Sequence, residues 1–333
     1  MKTLLRSCIV LLLFGCAVFT SAATNPFVGR WALTLPDGAA GWFGISQGPE
    51  GLRTEVLWGS GSVAPLTSAH VEGDLLVLTR ILKARPATAQ TAAAAGVTET
   101  YTATLRGDVM HGTRKRVVAD GSPASEVSFS GRRIADLPAT PDLARVGFGA
   151  PVSLFNGRDL TGWRLTDARQ TNGWSVADGV LMNRPTQTEG RPHKSYGNLR
   201  TDAVFEDFNL QLEVRTQPGS NSGIYLRGVY EIQVAETFGQ KPDSHNMGAL
   251  YSRITPSVAA EKPPGEWQTF DITLVDRHLT VVLNGTRIID NQPILGITGG
   301  ALTADEFKPG PIYLQGDHSS VDYRNIVLRP VVK

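Results

Sequence analysis

Apolar and polar residues alternate at every second position over much of this chain, the period of a half-buried β-strand. Over residues 208–216, Leu210, Leu212 and Val214 fall on one side and Gln211, Glu213 and Arg215 on the other. Residues 28–35 likewise put Trp31, Leu33 and Leu35 on one face. Further strands are predicted over 41–46, 52–58, 70–80, 98–106, 110–117 and 126–133, with turns such as Asp120-Gly121-Ser122-Pro123 between them. Short strands in meander order predict a small antiparallel β-barrel or sandwich over residues 25–134. Residues 135–151 have two early prolines and no periodicity, and read as a linker. The Ala-rich stretch 86–96 reads as a surface loop or a brief helix.

Beyond residue 152, turn dipeptides punctuate the pattern at Asn156-Gly157, Asp178-Gly179 and Asn284-Gly285. The last explains the sequon Asn284-Gly285-Thr286 better as a hairpin turn than as a glycan acceptor. Strands over 265–275, 310–318 and 321–328 complete a two-sheet β-sandwich with one curved sheet, predicted for residues 152–333. The class expected is all-β.

Residues 221–236 carry the densest chemistry. Two short strands meet at Gly228, with Ile224, Leu226, Ile232 and Val234 apolar and Tyr225, Arg227, Glu231 and Gln233 polar. A three-residue connection over 228–230 would set Arg227 opposite Glu231 and Tyr225 opposite Gln233. A carboxylate, a guanidinium, an amide and a phenol then share one sheet face. Beside Arg227 the Glu231 carboxylate is expected to stay ionised.

The formal net charge of +1 gives no electrostatic case for nucleic acid or an anionic membrane as partner. Both cysteines, Cys8 and Cys16, lie in a start that has Lys2 and Arg6, then an apolar run, then the small residues Ser21, Ala22 and Ala23. Residues 1–23 therefore read as a cleaved secretory signal, too short to span a membrane, with a lipid anchor at Cys16 as the lesser alternative. Cleavage would leave no cysteine for a disulfide or thiolate. The Gly44-Ile45-Ser46-Gln47-Gly48 match to a nucleophile elbow is rejected, because no helix follows it.

Several stretches together resemble a known family. They are Phe155-Asn-Gly-Arg-Asp-Leu-Thr-Gly-Trp163, Gly173-Trp-Ser-Val-Ala-Asp-Gly-Val-Leu181, the 221–234 hairpin, Gly265-Glu-Trp267, and Gly310-Pro-Ile-Tyr-Leu-Gln-Gly-Asp-His318 with Tyr323-Arg-Asn-Ile326. In order and spacing they resemble the 3-keto-disaccharide hydrolase domain, over residues 152–332. The resemblance implies a concanavalin-like jelly roll and a secreted or periplasmic enzyme acting on sugars oxidised to a ketone at C3. The family often places Asp after the Tyr-Glu-x-Gln strand, where this chain has Ala235-Glu236. The start Gly29-Arg30-Trp31 resembles the opening strand of lipocalin-like barrels.

A C3 ketone acidifies the C2 proton, so a base can form an enolate and expel the C1 substituent. The route needs a base, a partner for the enolate oxygen and an acid for the leaving oxygen. Glu231 is the expected base or acid, and Arg227 or a divalent metal ion the enolate partner. Gln233, Gln315, Asn221, Tyr225 and Tyr251 are expected to hold sugar hydroxyls. Glu213 joins them if its strand neighbours the hairpin. His318 is a candidate proton shuttle or metal ligand. Lys194, His193 and His245 lie on loops within reach of such a groove. No closely spaced His pair marks a metal site, and Trp163, Trp174 and Trp267 are assigned to the core. Two other readings stand: a non-catalytic carbohydrate-binding module, and a conventional glycosidase using Glu213 and Glu231.

Overall fold

The computed structural model describes residues 25–87, 92–188 and 194–332. Cys8, Cys16, the rest of the 1–23 segment expected to be a secretory signal, and His193 lie outside these residues.

Nine strands build the first layer: β1 (Gly29–Thr34), β2 (Ala40–Gly48), β3 (Gly51–Trp58), β4 (Ala64–Pro65), β5 (Ser68–Glu72), β6 (Leu75–Leu82), β7 (Val97–Arg106), β8 (Val109–Val118) and β9 (Ser125–Ile134). Their order is β4-β3-β2-β1-β9-β8-β7-β6-β5. The two ends of that order are neighbours in the chain, separated by Leu66 and Thr67 alone. Leu66 N–H bonds Thr54 O at 2.9 Å on β3, and Thr67 N–H bonds Thr79 O at 2.7 Å on β6. One bent segment thus closes the sheet on itself as a barrel, which removes its edges. Alternation fills the interior as expected: Trp31, Leu33, Phe43, Val56, Leu76, Leu78, Tyr101 and Phe129 are buried there.

The remaining strands are β10 (Gly147–Phe148), β11 (Val152–Ser153), β12 (Trp163–Leu165), β13 (Trp174–Ala177), β14 (Val180–Asn183), β15 (Leu199–Thr201), β16 (Phe208–Thr216), β17 (Asn221–Leu226), β18 (Tyr230–Ala235), β19 (Trp267–Val275), β20 (His278–Leu283), β21 (Thr286–Pro293), β22 (Tyr313–Leu314) and β23 (Val321–Val332). They form two sheets. The larger runs β13-β14-β23-β16-β19-β20-β21, with β10 and β11 on β23, and the smaller runs β12-β15-β22-β17-β18. Leu210, Leu212 and Val214 of the larger sheet meet Ile224, Ile232 and Val234 of the smaller one in a single core. Because side chains alternate across a strand, that packing forces the odd-numbered residues of β17 and β18 to the other side of the smaller sheet. The turns at Asp178-Gly179 and Asn284-Gly285 form as expected, each with two successive positive φ values.

Barrel and sandwich share buried surface. Ala40, Trp42, Leu57 and Ile134 of the barrel pack into the sandwich core, and the Arg253 guanidinium lies 4.3 Å over the Trp42 ring. The 135–151 segment is pinned to the sandwich rather than loose. Arg277 Nη2 donates to Asp136 O at 2.7 Å and Asn291 Nδ2 to Pro141 O at 2.9 Å. Among the described residues, no helix is long and apolar enough to cross a membrane.

Candidate functional site

The hairpin β17–β18 sets the site. Its register pairs Tyr225 with Glu231, Gly223 with Gln233 and Leu226 with Tyr230. The connection is therefore Arg227-Gly228-Val229, one residue earlier than expected from the sequence. Both Arg227 and Gly228 have positive φ, at 54° and 68°. This shift removes Arg227 from the polar face. Its Nη2 donates at 2.7 Å to both Glu306 O and Lys308 O, so it anchors the 306–308 backbone and does not reach the pocket.

The polar face survives the correction. Asn221, Tyr225, Glu231 and Gln233 line one hollow of about 220 Å³ together with Tyr251, Tyr313, Gln315, Asp317, His318 and Asn198. That is smaller than the ~300–1,000 Å³ of typical small-molecule sites, and suits one sugar ring. Ser60 and Gly61, from the barrel, complete its wall.

Glu231 lies at the floor, 4% exposed. Tyr225 Oη, at 2.9 Å from Glu231 Oε2 and 2.7 Å from Gly299 O, is placed to donate to either. The Tyr225 ring stacks on Tyr313 with centroids 3.8 Å apart, and Tyr313 Oη donates to Gly300 O at 2.8 Å. The carboxylate fits only because residue 223 is glycine: a Cβ there would sit 2.5 Å from Glu231 Oε1. Burial pushes the Glu231 carboxyl up to about 8, against the lowering effects of the Tyr225 hydrogen bond and of His318. The expectation of an ionised Glu231 beside Arg227 is thereby corrected. The guanidinium is elsewhere, and desolvation dominates.

His318 Nδ1 lies 2.7 Å from Asp317 Oδ1. That hydrogen bond holds the imidazole above its ordinary value, partly offset by desolvation, with the charges of Asp317 and Glu231 adding to the rise. Gln233 donates to Asn221 Oδ1 at 3.3 Å, while its own Oε1 is buried without a hydrogen-bond partner. A buried acceptor without a partner is an unmet hydrogen bond at the wall of the hollow.

Two further expectations fail on topology. Glu213 lies on β16 of the larger sheet, where it bonds Arg324 on the side away from the core. Lys194 is exposed and outside the hollow, its backbone tied to the Gln187 side chain at 2.9 Å. Trp163 and Trp174 are buried as expected. Trp267 is not a core residue, and lies partly exposed under the guanidinium groups of Arg215 and Arg324. Among the described residues no group of three or more His, Cys, Asp or Glu side chains is placed to hold a metal ion.

A family model described as the 3-keto-alpha-glucoside-1,2-lyase-like domain matches residues 150–329. The chain belongs to this 3-keto-disaccharide hydrolase family. A 3-keto-disaccharide hydrolase of Bacteroides thetaiotaomicron is 24% identical over 143 residues, covering 35% of this chain and 49% of that protein. The chain thus spans about half the length of that relative. A provisionally named glycosyl hydrolase structure from Parabacteroides distasonis is 26% identical, with a TM-score of 0.44 over 59% of this chain and 94% of its own. A carbohydrate-binding module from Bacillus subtilis has 11% identity and a TM-score of 0.35, over 52% and 97%. The family's lyase-like description and its hydrolase relative both name enzymes acting on glycosides, which agrees with a hollow lined by hydroxyl, amide and carboxyl groups.

Sequence reasoning missed Asn198, Tyr313, Ser60 and Gly61. Asn198 Oδ1 accepts from Gly316 N–H at 2.9 Å, beside the Gln315–His318 run, and no local signal marks it. The barrel residues lie far away in sequence, and their adjacency depends on how the two halves dock.

Proposed function

We propose that this pocket cleaves 3-keto-glycosides by removing the proton at C2, α to the ketone, and expelling the C1 substituent. Water then adds to the unsaturated keto-sugar and yields the free 3-keto-sugar. The observation that carries the reading is Glu231, a lone buried carboxyl at the floor of a family-matched pocket. Its proton affinity sits close to physiological pH, where a general base works best.

In this scheme the ionised Glu231 takes the C2 proton. His318, whose charge Asp317 supports, faces the enolate oxygen in place of the guanidinium expected there. Gln233 and Asn221 orient ring hydroxyls. With its pKa near 8, Glu231 is roughly one-tenth ionised at pH 7, so turnover rises with pH until that group is fully ionised. Binding of sugar without turnover would instead favour a carbohydrate-binding module.

The test is release of keto-sugar from 3-keto-trehalose, with unoxidised trehalose as control, by wild type and Glu231→Gln. The variant should fold and bind while losing about 10²–10⁴-fold in kcat. Equal turnover by both proteins would remove Glu231 from the mechanism.

A further inference from the structure

The scheme above leaves the leaving oxygen without a proton donor. Glu231 takes a proton rather than giving one, and His318 faces the enolate. One chain of groups at the rim supplies what is missing, and part of it comes from the barrel.

Tyr251 lines the hollow. Its backbone N–H bonds the Glu231 carbonyl at 2.9 Å, which fixes it beside the catalytic strand. Ser62 Oγ is 3.4 Å from Tyr251 Oη, in position to donate to it. The same Oγ is 2.9 Å from His245 Nε2, and His245 Nδ1 is 2.8 Å from Asp243 Oδ1. The imidazole is held further by an edge-to-face contact with the Tyr251 ring, at 5.0 Å and 89°. Ser244 Oγ also lies 3.3 Å from Nδ1.

Ser62 is held where it is by backbone contacts across the interface. Val63 N–H donates to Ser252 Oγ at 2.8 Å, and Gly300 N–H to Gly59 O at 3.1 Å. Gly61 presses against Gly299 so closely that a Cβ on residue 299 would overlap the Gly61 backbone. These contacts bring a barrel loop into the pocket wall with its hydroxyl between a phenol and an imidazole.

We propose that Tyr251 protonates the leaving oxygen and is re-protonated through Ser62 by the His245–Asp243 pair. The polarity is consistent at every step. As an imidazolium, His245 donates Nδ1–H to Asp243 and Nε2–H to Ser62, and Ser62 donates to Tyr251. When the C1–O bond breaks, its electron pair goes to the leaving oxygen, which takes the phenolic proton. Tyr251 receives the Ser62 proton, Ser62 receives the Nε2 proton, and His245 ends neutral, to be recharged from solvent at its exposed edge. Tyr251 is the catalytic residue. Ser62, His245 and Asp243 act through it and position its proton. The 3.4 Å step is long for a hydroxyl pair, and such bonds commonly shorten once substrate is bound.

The proposal rests on the reading of the pocket as a 3-keto-glycoside site, and the test separates the two. The full-length protein is assayed on 3-keto-trehalose, with a poor sugar leaving group, and on 4-nitrophenyl 3-keto-glucoside, whose leaving group needs no proton. Ser62→Ala and His245→Asn should each lose about 10²-fold in kcat/KM on the first and little on the second. An equal loss on both substrates means a merely structural role and overturns the relay. Failure of wild type on every 3-keto-glycoside overturns the pocket reading instead. A substrate-free measurement judges the relay independently. In nitrogen-15 imidazole spectra at low pH, the His245 Nε2 proton should exchange slowly with water in wild type and quickly in Ser62→Ala. Identical exchange in the two proteins overturns the Ser62–His245 link and the relay with it.

Discussion

At the scale of single residues, Glu231 couples chemistry to stability. The folded chain holds its proton up to a pH of about 8, whereas the unfolded chain releases it near the ordinary glutamate value of 4.5. The folded state therefore binds more protons throughout that window, and unfolding free energy falls as pH rises across it. The stability attached to this group is fully present below the lower value and lost on passing the upper one. Denaturant melts at pH 5, 7 and 9 should show a decline on the order of a few kcal/mol in wild type. Glu231→Gln should remove the share carried by Glu231, leaving that of the other raised groups, Glu306 among them, so the variant gains on wild type at pH 9. Gly223→Ala tests the same carboxyl from the opposite strand. The added methyl would displace Glu231 Oε1, and kcat should drop by more than tenfold, with only ~1–3 kcal/mol of destabilisation by overpacking. A variant with normal kcat would show that the carboxyl tolerates movement.

At the scale of elements, the hairpin explains both what the sequence reveals and what it conceals. Alternation correctly sorts Ile224, Ile232 and Val234 inward and Glu231 and Gln233 outward, because face follows from parity alone. The turn is harder. Alternation favours the register that keeps Arg227 on the polar face, whereas the turn it occupies needs a positive φ that a bulky residue rarely adopts. What offsets that backbone cost lies about 80 residues away in sequence, in the carbonyls of Glu306 and Lys308, and no local pattern announces them. Alternation sorts Glu213 to the correct side of its own strand but does not say which sheet that strand joins, since strand order is a property of the assembled fold. Arg227→Met should leave the buried Glu306 carbonyl and the part-buried Lys308 carbonyl without this donor. The expected cost is ~1–3 kcal/mol, read as a lowered denaturation midpoint. Its catalytic effect should be small beside that of Glu231→Gln. A loss of turnover with unchanged stability would return Arg227 to the chemistry.

At the scale of the whole molecule, the family match starts at residue 150, after the barrel has ended at Ile134, yet Ser60 and Gly61 stand in the pocket wall. Gly299→Ala should push the barrel loop outward, since its methyl meets the Gly61 backbone. Circular dichroism should stay that of a folded β protein while activity on 3-keto-disaccharides falls. Unchanged activity would mean that the sandwich works alone. The way the barrel is shut gives this docking an additional meaning. Ser62 stands two residues before the bent segment, residues 64–72, that completes the hydrogen-bonded ring. A weakness far around that ring, on β7 or β8, would be relieved at this clasp first. Mutations remote from any sugar would then appear as catalytic defects in proteins that still look intact, and genetic screens would assign them to the wrong half of the chain.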